Sequence, residues 1–326
     1  MAGIINSSRD KFNNLSKHMA IRELTDKDNV LYAKFINPID FANFSCNHIE
    51  LWIKVQGAII NHSEYGVGKI IRIEQRSNYI PLIYVLFENE NEERTFNSDG
   101  FKSGIIETMQ ISNAQNEEFQ EWKKQYEQDR QQKCNYIQTR FADFGVNSLW
   151  HITHNKNVIS ILEHGIMNHY DAKQFERVDI SNPDAQIWRE RVEPCFKRKI
   201  HEYAPLYINP RNPMMYFHKQ IQDELCLLEI SLSVLCKGEY LITDGNAASH
   251  GTKFFDSVSK LELLPWNVLR SDNWVDKDDG KRKSCSEVLL YPKIEPQYIK
   301  ALHFCESVPH LEGVDKQKCV TPELYF

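Results

Sequence analysis

The sequence predicts an α+β protein of two domains, and three observations carry that prediction. The chain has 326 residues, 41% of them hydrophobic, which on the usual size prior gives about two domains with cores of their own. Short β-branched and aromatic runs separated by Asn, Gly and Glu clusters occupy residues 46–112, the mark of antiparallel strands. Beyond Leu149 the texture changes to short strands, one clear helix and long polar loops, the pattern of an α+β domain.

A formal net charge of -6 argues against a wholly basic nucleic-acid coat protein, although a local basic stripe still binds phosphate in an acidic chain. The eight cysteines (Cys46, Cys134, Cys195, Cys226, Cys236, Cys285, Cys305, Cys319) include no CxxC pair. Neither a zinc ribbon nor a thioredoxin-like motif is indicated, and the cysteines read as reduced packing residues of a cytosolic protein. The start, "MAGIINSSRDKF", lacks the apolar core of a secretory leader, and no apolar run approaches the ~20 residues that cross a bilayer. A soluble cytoplasmic protein without a membrane partner is expected.

In chain order, residues 1–45 read as a polar extension. Within residues 46–112, "HIELWIKVQGAII", "GKIIRIEQ" and "LIYVLFENENEERTF" read as strands of a small antiparallel barrel. "GVGK" at 66–69 has neither the spacing of a dinucleotide fingerprint nor the ending of a P-loop. Residues 113–146 are highly charged, with Phe119, Trp122, Tyr126, Ile137 and Phe141 along a narrow stripe, and predict a linking helix packed by one edge. Residues 147–326 form the second domain. Its clear helix is "NKNVISILEHG", with Asn155 as cap, Val158, Ile161 and Leu162 on the buried face and Gly165 as stop.

Four stretches of this domain carry candidate chemistry. In "LWHITH" the two histidines are three apart, so on a strand they face opposite ways and a shared metal is disfavoured; His151 and Thr153 share a face. Such a pair suits an amide or a ribose hydroxyl, and equally a packed histidine. In "YAPLYINPRNPMMYF" Arg211 lies between Pro210 and Pro213, which stiffen the backbone and present a permanently charged fork; a surface turn arginine is the plain alternative. "LITDGNAASHGTKFF" holds a turn signal and small residues around Asn246, which permit close approach of a ligand or simply an ordinary hairpin. Finally, "RSDNWVDKDDGKRKSCSEVLLYP" is a polar loop carrying Trp274 and the cluster Lys281, Arg282, Lys283, and it delivers Glu287 to the start of an apolar strand. Alternation puts Glu287, Leu289 and Tyr291 on one face. A strand-start glutamate is usually solvated, which predicts a small role for it in packing.

Taken together and in order, "LWHITHNKNVISILEHGI", "PLYINPRNPMMY", "LCLLEISLSVL", "ITDGNAASHGTKFF" and "KSCSEVLLYPKI" resemble the DarT family of nucleic-acid ADP-ribosyltransferases, toxins that move ADP-ribose from NAD onto a base of single-stranded DNA. The resemblance covers about residues 147–302. It implies an ADP-ribosyltransferase-like catalytic domain, with NAD as co-substrate and no metal. It places His151, Thr153 and Asn157 on the nicotinamide and its ribose, Arg211 near both NAD and the target base, and Glu287 as the catalytic glutamate. Ser286 departs from the alanine that often precedes that glutamate, but remains small. The first ~140 residues lie outside the resemblance, and look like the SH3-like or Tudor-like barrels appended to helicases and transcription factors.

On this reading Glu287 grips the ribose 2′-hydroxyl and stabilises the charge that develops as the nicotinamide bond breaks; it also suits proton removal from the base nitrogen. Arg211, always charged, polarises the base or holds a phosphate. Single strands are the easier acceptors because the base must leave its stack. Trp274 and Tyr216 then stack on bases, with Asn246 nearby, while Lys281, Arg282 and Lys283 hold phosphates. The resemblance also implies an antitoxin, a macrodomain hydrolase or a sequestering partner, in a toxin-antitoxin or anti-phage defence system. Two rival readings remain: the same chemistry on RNA, and a catalytically silent nucleic-acid-binding module.

Overall fold

The computed structural model describes residues 33–45, 49–75, 81–88, 90, 92–236 and 238–326; most of the predicted polar extension, residues 1–32, and Cys46 lie outside them. The chain divides into two compact units, Met1–Gln128 and Asp129–Phe326. Among the described residues no helix is long and apolar enough to cross a membrane.

In the first unit six strands form one antiparallel sheet: β1 (Ala33–Ile36), β2 (Ile59–His62), β3 (Gly66–Gln75), β4 (Pro81–Phe87), β5 (Glu93–Phe96) and β6 (Ile106–Ser112). Their order is β1-β6-β2-β3-β4-β5. The edge strands β1 and β5 do not pair, so this is an open sheet and not the closed barrel that the strand pattern suggests. Helices replace closure. Phe41 and Ala42 from Pro38–Ser45, Leu51 and Trp52 from Ile49–Lys54, and Phe101 from Ser98–Lys102 join Ile60, Ile70, Ile83 and Val85 in one buried core. "IELWIK" is thus helical rather than a strand, because Leu51, Trp52 and Val55 repeat at the helical period and are buried together.

The helix Asn113–Asp143 agrees with the charged, narrowly striped segment. Phe119 and Trp122 pack on the core of the first unit, and Ile137 and Phe141 are buried in that of the second.

The second unit is built on eight strands: β7 (Ser148–His154), β9 (Ala204–Tyr207), β10 (Leu225–Ser231), β11 (Glu239–Thr243), β12 (Phe254–Phe255), β13 (Glu287–Tyr291), β15 (Ile299–Phe304) and β16 (Gln317–Val320). They run in the order β12-β11-β13-β9-β7-β10-β15-β16. The short strands β8 (Ile166–Met167) and β14 (Lys293–Ile294) pair separately. Both faces of the large sheet are covered. In β10, Cys226, Leu228 and Ile230 enter the main core, whereas Leu225 and Leu227 enter a second cluster with Ile152, Met215 and Tyr325. This explains the unbroken apolar runs "LCLL" and "VLL", which two-sided burial requires.

Two local expectations need correcting. The turn before helix Val158–His164 is capped by His154, whose Nδ1 accepts from Lys156 N–H at 3.1 Å. Asn155 instead donates through its side chain to the Asp223 carbonyl, because β7 runs through to His154 and leaves Asn155 inside the first turn. Gly165 does end the helix, with φ at 91°; a Cβ there would lie 2.3 Å from the Ile294 carbonyl, so only glycine permits this contact. The second correction concerns the cysteines. Cys134 and Cys236, 102 residues apart, form a disulfide with Cα atoms at 5.1 Å, a geometry that spacing in the sequence does not reveal.

Candidate active site

A cleft of about 1560 Å³ opens in the second unit, lined among others by His151, Thr153, Asn157, Arg189, Tyr207 and Trp274. One of its walls is the end of β7. Alternation along that strand sets His151 and Thr153 on one face, and Asn157 follows one helical turn later. Asn157 Nδ2 donates to Thr153 Oγ1 at 3.1 Å, while its amide group also meets Val178 N–H and C=O at 2.9 Å each. His151 Nδ1 lies 3.0 Å from the Pro205 carbonyl. A carbonyl only accepts, so Nδ1 carries the proton. Burial pulls the His151 pKa down, which keeps the ring neutral and leaves Nε2 as an acceptor at the cleft wall. The three residues expected to act together are therefore adjacent. His154 turns away, and its Nε2 meets Glu224 Oε2 at 3.1 Å.

Glu287 is fully buried, which corrects the expectation of a solvated carboxylate with little part in packing. Its Oε2 lies 2.5 Å from Arg189 Nη2, and its Oε1 accepts from Ala247 N–H at 2.9 Å. Its backbone N–H donates to Thr243 Oγ1 at 2.9 Å. Alternation holds as expected: Leu289 and Tyr291 share a cluster with Tyr203 and Ala247 on that side of β13. Burial works against the Arg189 charge, but Glu287 more than offsets it and the Arg189 pKa ends above its ordinary value. Tyr207, which pairs with Glu287 in register, has its phenol pushed well up by burial and then by that carboxylate. Cys285 is pushed up to about 12 by burial, with Glu287 adding to it; it is a packed thiol, not a nucleophile.

Arg189 is the residue that sequence reasoning missed. It follows the helix Pro183–Trp188, which Asn182 caps. Two residues on, Arg191 Nη2 donates to the Ala247 and Ser249 carbonyls at 2.7 Å each. The alternating "WRER" at 188–191 was the available signal: one arginine grips the carboxylate and the next grips the loop that caps it. That loop is "DGNAASHG", the turn between β11 and β12. Its small residues serve the close approach expected of them, since Ala247 is fully buried against Glu287.

Arg211 stands apart from this pair. Its backbone N–H donates to Asn209 Oδ1 at 2.9 Å, and the next residue, buried Asn212, caps helix Pro213–Phe217. The Arg211 guanidinium lies 4.6 Å from the Phe326 ring centroid, and its Nε is buried without a protein acceptor.

The loop before β13 holds more structure than its polarity suggests. Asp279 has φ at 51° and starts the short helix Gly280–Lys283. A Cβ on Gly280 would lie 1.9 Å from the Trp274 carbonyl, so glycine is what lets the loop fold against Trp274. Trp274 is buried but lines the cleft, and half-exposed Tyr216 faces it edge-on at 6.0 Å. Of the basic cluster, only Lys281 is exposed at the cleft. Arg282 is taken up by Asp244 Oδ1 at 2.8 Å, Asp279 Oδ2 at 2.5 Å and Thr252 Oγ1 at 3.1 Å. Lys283 pairs with Asp278 at 3.0 Å. Their charges are spent on Asp278 and Asp279 of the loop itself and on Asp244 of the turn between β11 and β12. Asn246 lines the cleft, and its Oδ1 accepts from Ala248 N–H at 2.8 Å.

The family model described as "ssDNA thymidine ADP-ribosyltransferase, DarT" matches residues 150–308. A curated relative from Thermosipho africanus, a DNA ADP-ribosyl transferase-DNA ADP-ribosyl glycohydrolase fusion protein, is 32% identical over 166 residues, which are 48% of this chain and 42% of that protein. A DNA ADP-ribosyl transferase from Thermus aquaticus is 28% identical over 145 residues, 41% of this chain and 65% of that protein. The chain thus spans less than two thirds of the length of either relative. The solved structure of Thermus sp. 2.9 DarT in complex with ADP-ribosylated ssDNA superposes with a TM-score of 0.50 at 22% identity, covering 56% of this chain and 97% of that one. That likeness is one of fold. With the matched segment running from the β7 wall through Glu287 and β15, this part of the chain belongs to the DarT family.

Proposed function

We propose that the chain is an NAD-dependent ADP-ribosyltransferase that modifies a base of single-stranded DNA. The observation that carries this reading is the buried pair Arg189–Glu287, whose Arg189 lines a cleft with a wall that presents a neutral His151 acceptor and the Thr153 hydroxyl. The relatives' names, DNA ADP-ribosyl transferase, and the family description support a DNA acceptor.

The residues present fit NAD. The His151 Nε2 acceptor and the Thr153 Oγ1 hydroxyl, with Asn157 fixing the latter, would hold the nicotinamide amide and ribose; the cleft volume exceeds what a dinucleotide needs. NAD supplies an activated ribose carbon with a cationic leaving group, so neither a metal nor a strong acid is needed. The chain's contribution is electrostatic. Glu287 is fixed by Arg189 and by the Ala247 N–H, so its negative charge is in place before positive charge builds on the ribose, and no reorganisation is needed at that moment. Arg189 pairs with the carboxylate in a dry setting, where charges interact more strongly than in water. Arg211, with a buried Nε still able to donate, serves the acceptor side through Phe326, the ring its guanidinium lies over and the one that also meets Tyr216 and Trp274, where an unstacked base is received.

The glycohydrolase joined to the transferase in the Thermosipho africanus relative supports a partner that removes the modification. We accordingly assign the chain the toxin role in a toxin-antitoxin or defence pair, working in the cytoplasm, where its DNA acceptor is. The test is incubation with labelled NAD and matched thymidine-containing DNA and RNA oligonucleotides. Label is expected on single-stranded DNA, with nicotinamide released. Label on RNA alone would change the acceptor, and binding of either strand with no NAD turnover would leave a silent binding module.

A further inference from the structure

Residues 309–326 lie beyond the matched segment, yet they deliver an aromatic side chain to the cleft. The path is firmly fixed. Strand β16 adds parallel to β15, and Thr321 N–H donates to the Phe304 carbonyl at 2.9 Å. Buried Tyr325 donates its hydroxyl to the His303 carbonyl at 2.7 Å. Phe326 N–H donates to Gln222 Oε1 at 3.0 Å. The Phe326 side chain then lines the cleft, held from both backbone and core.

Its ring meets three residues on the acceptor side of the proposed site. Tyr216 lies 5.3 Å away at 89° and Trp274 lies 5.4 Å away at 90°, and those two are themselves 6.0 Å apart at 82°. The three rings are mutually perpendicular, the arrangement that aromatic quadrupoles favour. The Arg211 guanidinium occupies a face of Phe326 at 4.6 Å, where a planar cation is attracted to the ring. Tyr216 remains 47% exposed, so Phe326 supports its edge while the remainder stays open. Phe326 itself has no hydrogen-bonding group on its side chain. It supplies shape and orientation.

We propose that Phe326 is a positioning residue for the acceptor base, holding Tyr216 and Trp274 square to one another and keeping Arg211 in place beside them; this rests on the nucleic-acid reading above. The incoming nucleotide is a single-stranded pyrimidine or purine nucleotide stacked against Tyr216, and loss of the supporting ring weakens that platform rather than the handling of NAD. Base–aromatic contacts of this kind are sequence-tolerant and strong enough that losing one changes affinity about tenfold or more.

The test uses the full chain with Phe326→Leu, which keeps apolar bulk, and Phe326→Tyr, which keeps the ring. Two quantities are measured: the affinity of a fluorescent thymidine-containing single-stranded oligonucleotide without NAD, and KM and kcat for transfer to it. Phe326→Leu is expected to weaken affinity and raise the oligonucleotide KM about tenfold, with a much smaller change in kcat, and Phe326→Tyr is expected to restore both. Unchanged affinity and KM in Phe326→Leu overturn the proposal. So does a fall in kcat alone, or a Phe326→Tyr variant as weak as Phe326→Leu, since either indicates a role in packing only. A parent chain that neither binds nor modifies the oligonucleotide refutes the nucleic-acid reading itself, and with it this inference; failure of the inference alone appears only in the variants.

Discussion

Arg189 and Glu287, 98 residues apart in sequence, meet at 2.5 Å with almost no exposure of either side chain. Removing one member of a buried ion pair leaves the other uncompensated, at about 3–5 kcal/mol. Glu287→Ala and Arg189→Leu are each expected to lose about that much unfolding free energy in urea titrations. The double variant Arg189→Met, Glu287→Leu, apolar on both sides, should recover most of it. A single variant as stable as the parent would show that the pair is solvated in solution.

Glu287→Gln separates the charge from the shape. The amide still accepts from Ala247 N–H, so the fold should survive better than in Glu287→Ala, whereas turnover should fall about 10²–10³-fold or more. Near-parental transfer by the glutamine variant would remove the carboxylate charge from the chemistry.

Arg211 offers a different separation. Arg211→Ala is expected to keep its calorimetric NAD affinity and to lose transfer to the oligonucleotide, because the arginine sits with Phe326 and not with Glu287. Arg211→Lys keeps a charge but no planar fork to lie on the ring, so only partial recovery is expected. A parallel loss of NAD affinity would move Arg211 to the cofactor side.

The loop before β13 predicts opposite outcomes for two neighbouring cations. Lys281→Ala should weaken oligonucleotide binding and reduce the salt dependence by about one phosphate contact. Arg282→Ala should instead lower stability, since it frees Asp244, Asp279 and Thr252 at once. Equal effects of the two on salt dependence would return Arg282 to the phosphate-binding surface.

Stability should also depend on pH through His169. Burial, then His201, Lys173 and Arg177, hold its pKa down to about 4, against the opposing pull of Asp179. The folded state therefore binds fewer protons than the unfolded one in the window from pH 6.5 to about 4. Stability from the neutral ring is complete above 6.5 and is lost as pH falls through that window. His201, also shifted down by burial, adds with the same sign. Glu190, held at about 2 in the folded state by hydrogen bonds from Lys199, His201 and Tyr170, stays ionised there across the window, whereas in the unfolded chain it takes up a proton near pH 4.5, so it adds with the same sign at the acid end. His169→Asn should flatten part of the decline in denaturation midpoint; an unchanged slope would assign it elsewhere.

What could be read from the sequence was local. His151, Thr153 and Asn157 come together because strand alternation and one helical turn, both short-range rules, place them. The stiffness around Arg211 follows from adjacent prolines. Closure of the first sheet was not legible, since a strand pattern looks the same whether edges meet or helices such as Ile49–Lys54 cover the face. The Arg189 partner of Glu287 was not legible either. Nothing within a few residues of an arginine says which carboxylate, a third of the chain away, the sheet will bring to it. For the same reason Arg282 read as a phosphate ligand, since Asp244, which claims it together with Asp279, lies 38 residues away.

The strand order concentrates two tasks in one short segment. β13 is inserted between β11 and β9, and among the described residues β12 and β11 have no other hydrogen-bonded link to the rest of the large sheet. The same five residues, 287–291, join these parts and supply the buried carboxylate that satisfies Arg189. A change that displaces this one strand therefore splits the sheet and leaves a buried cation unpaired at the same time.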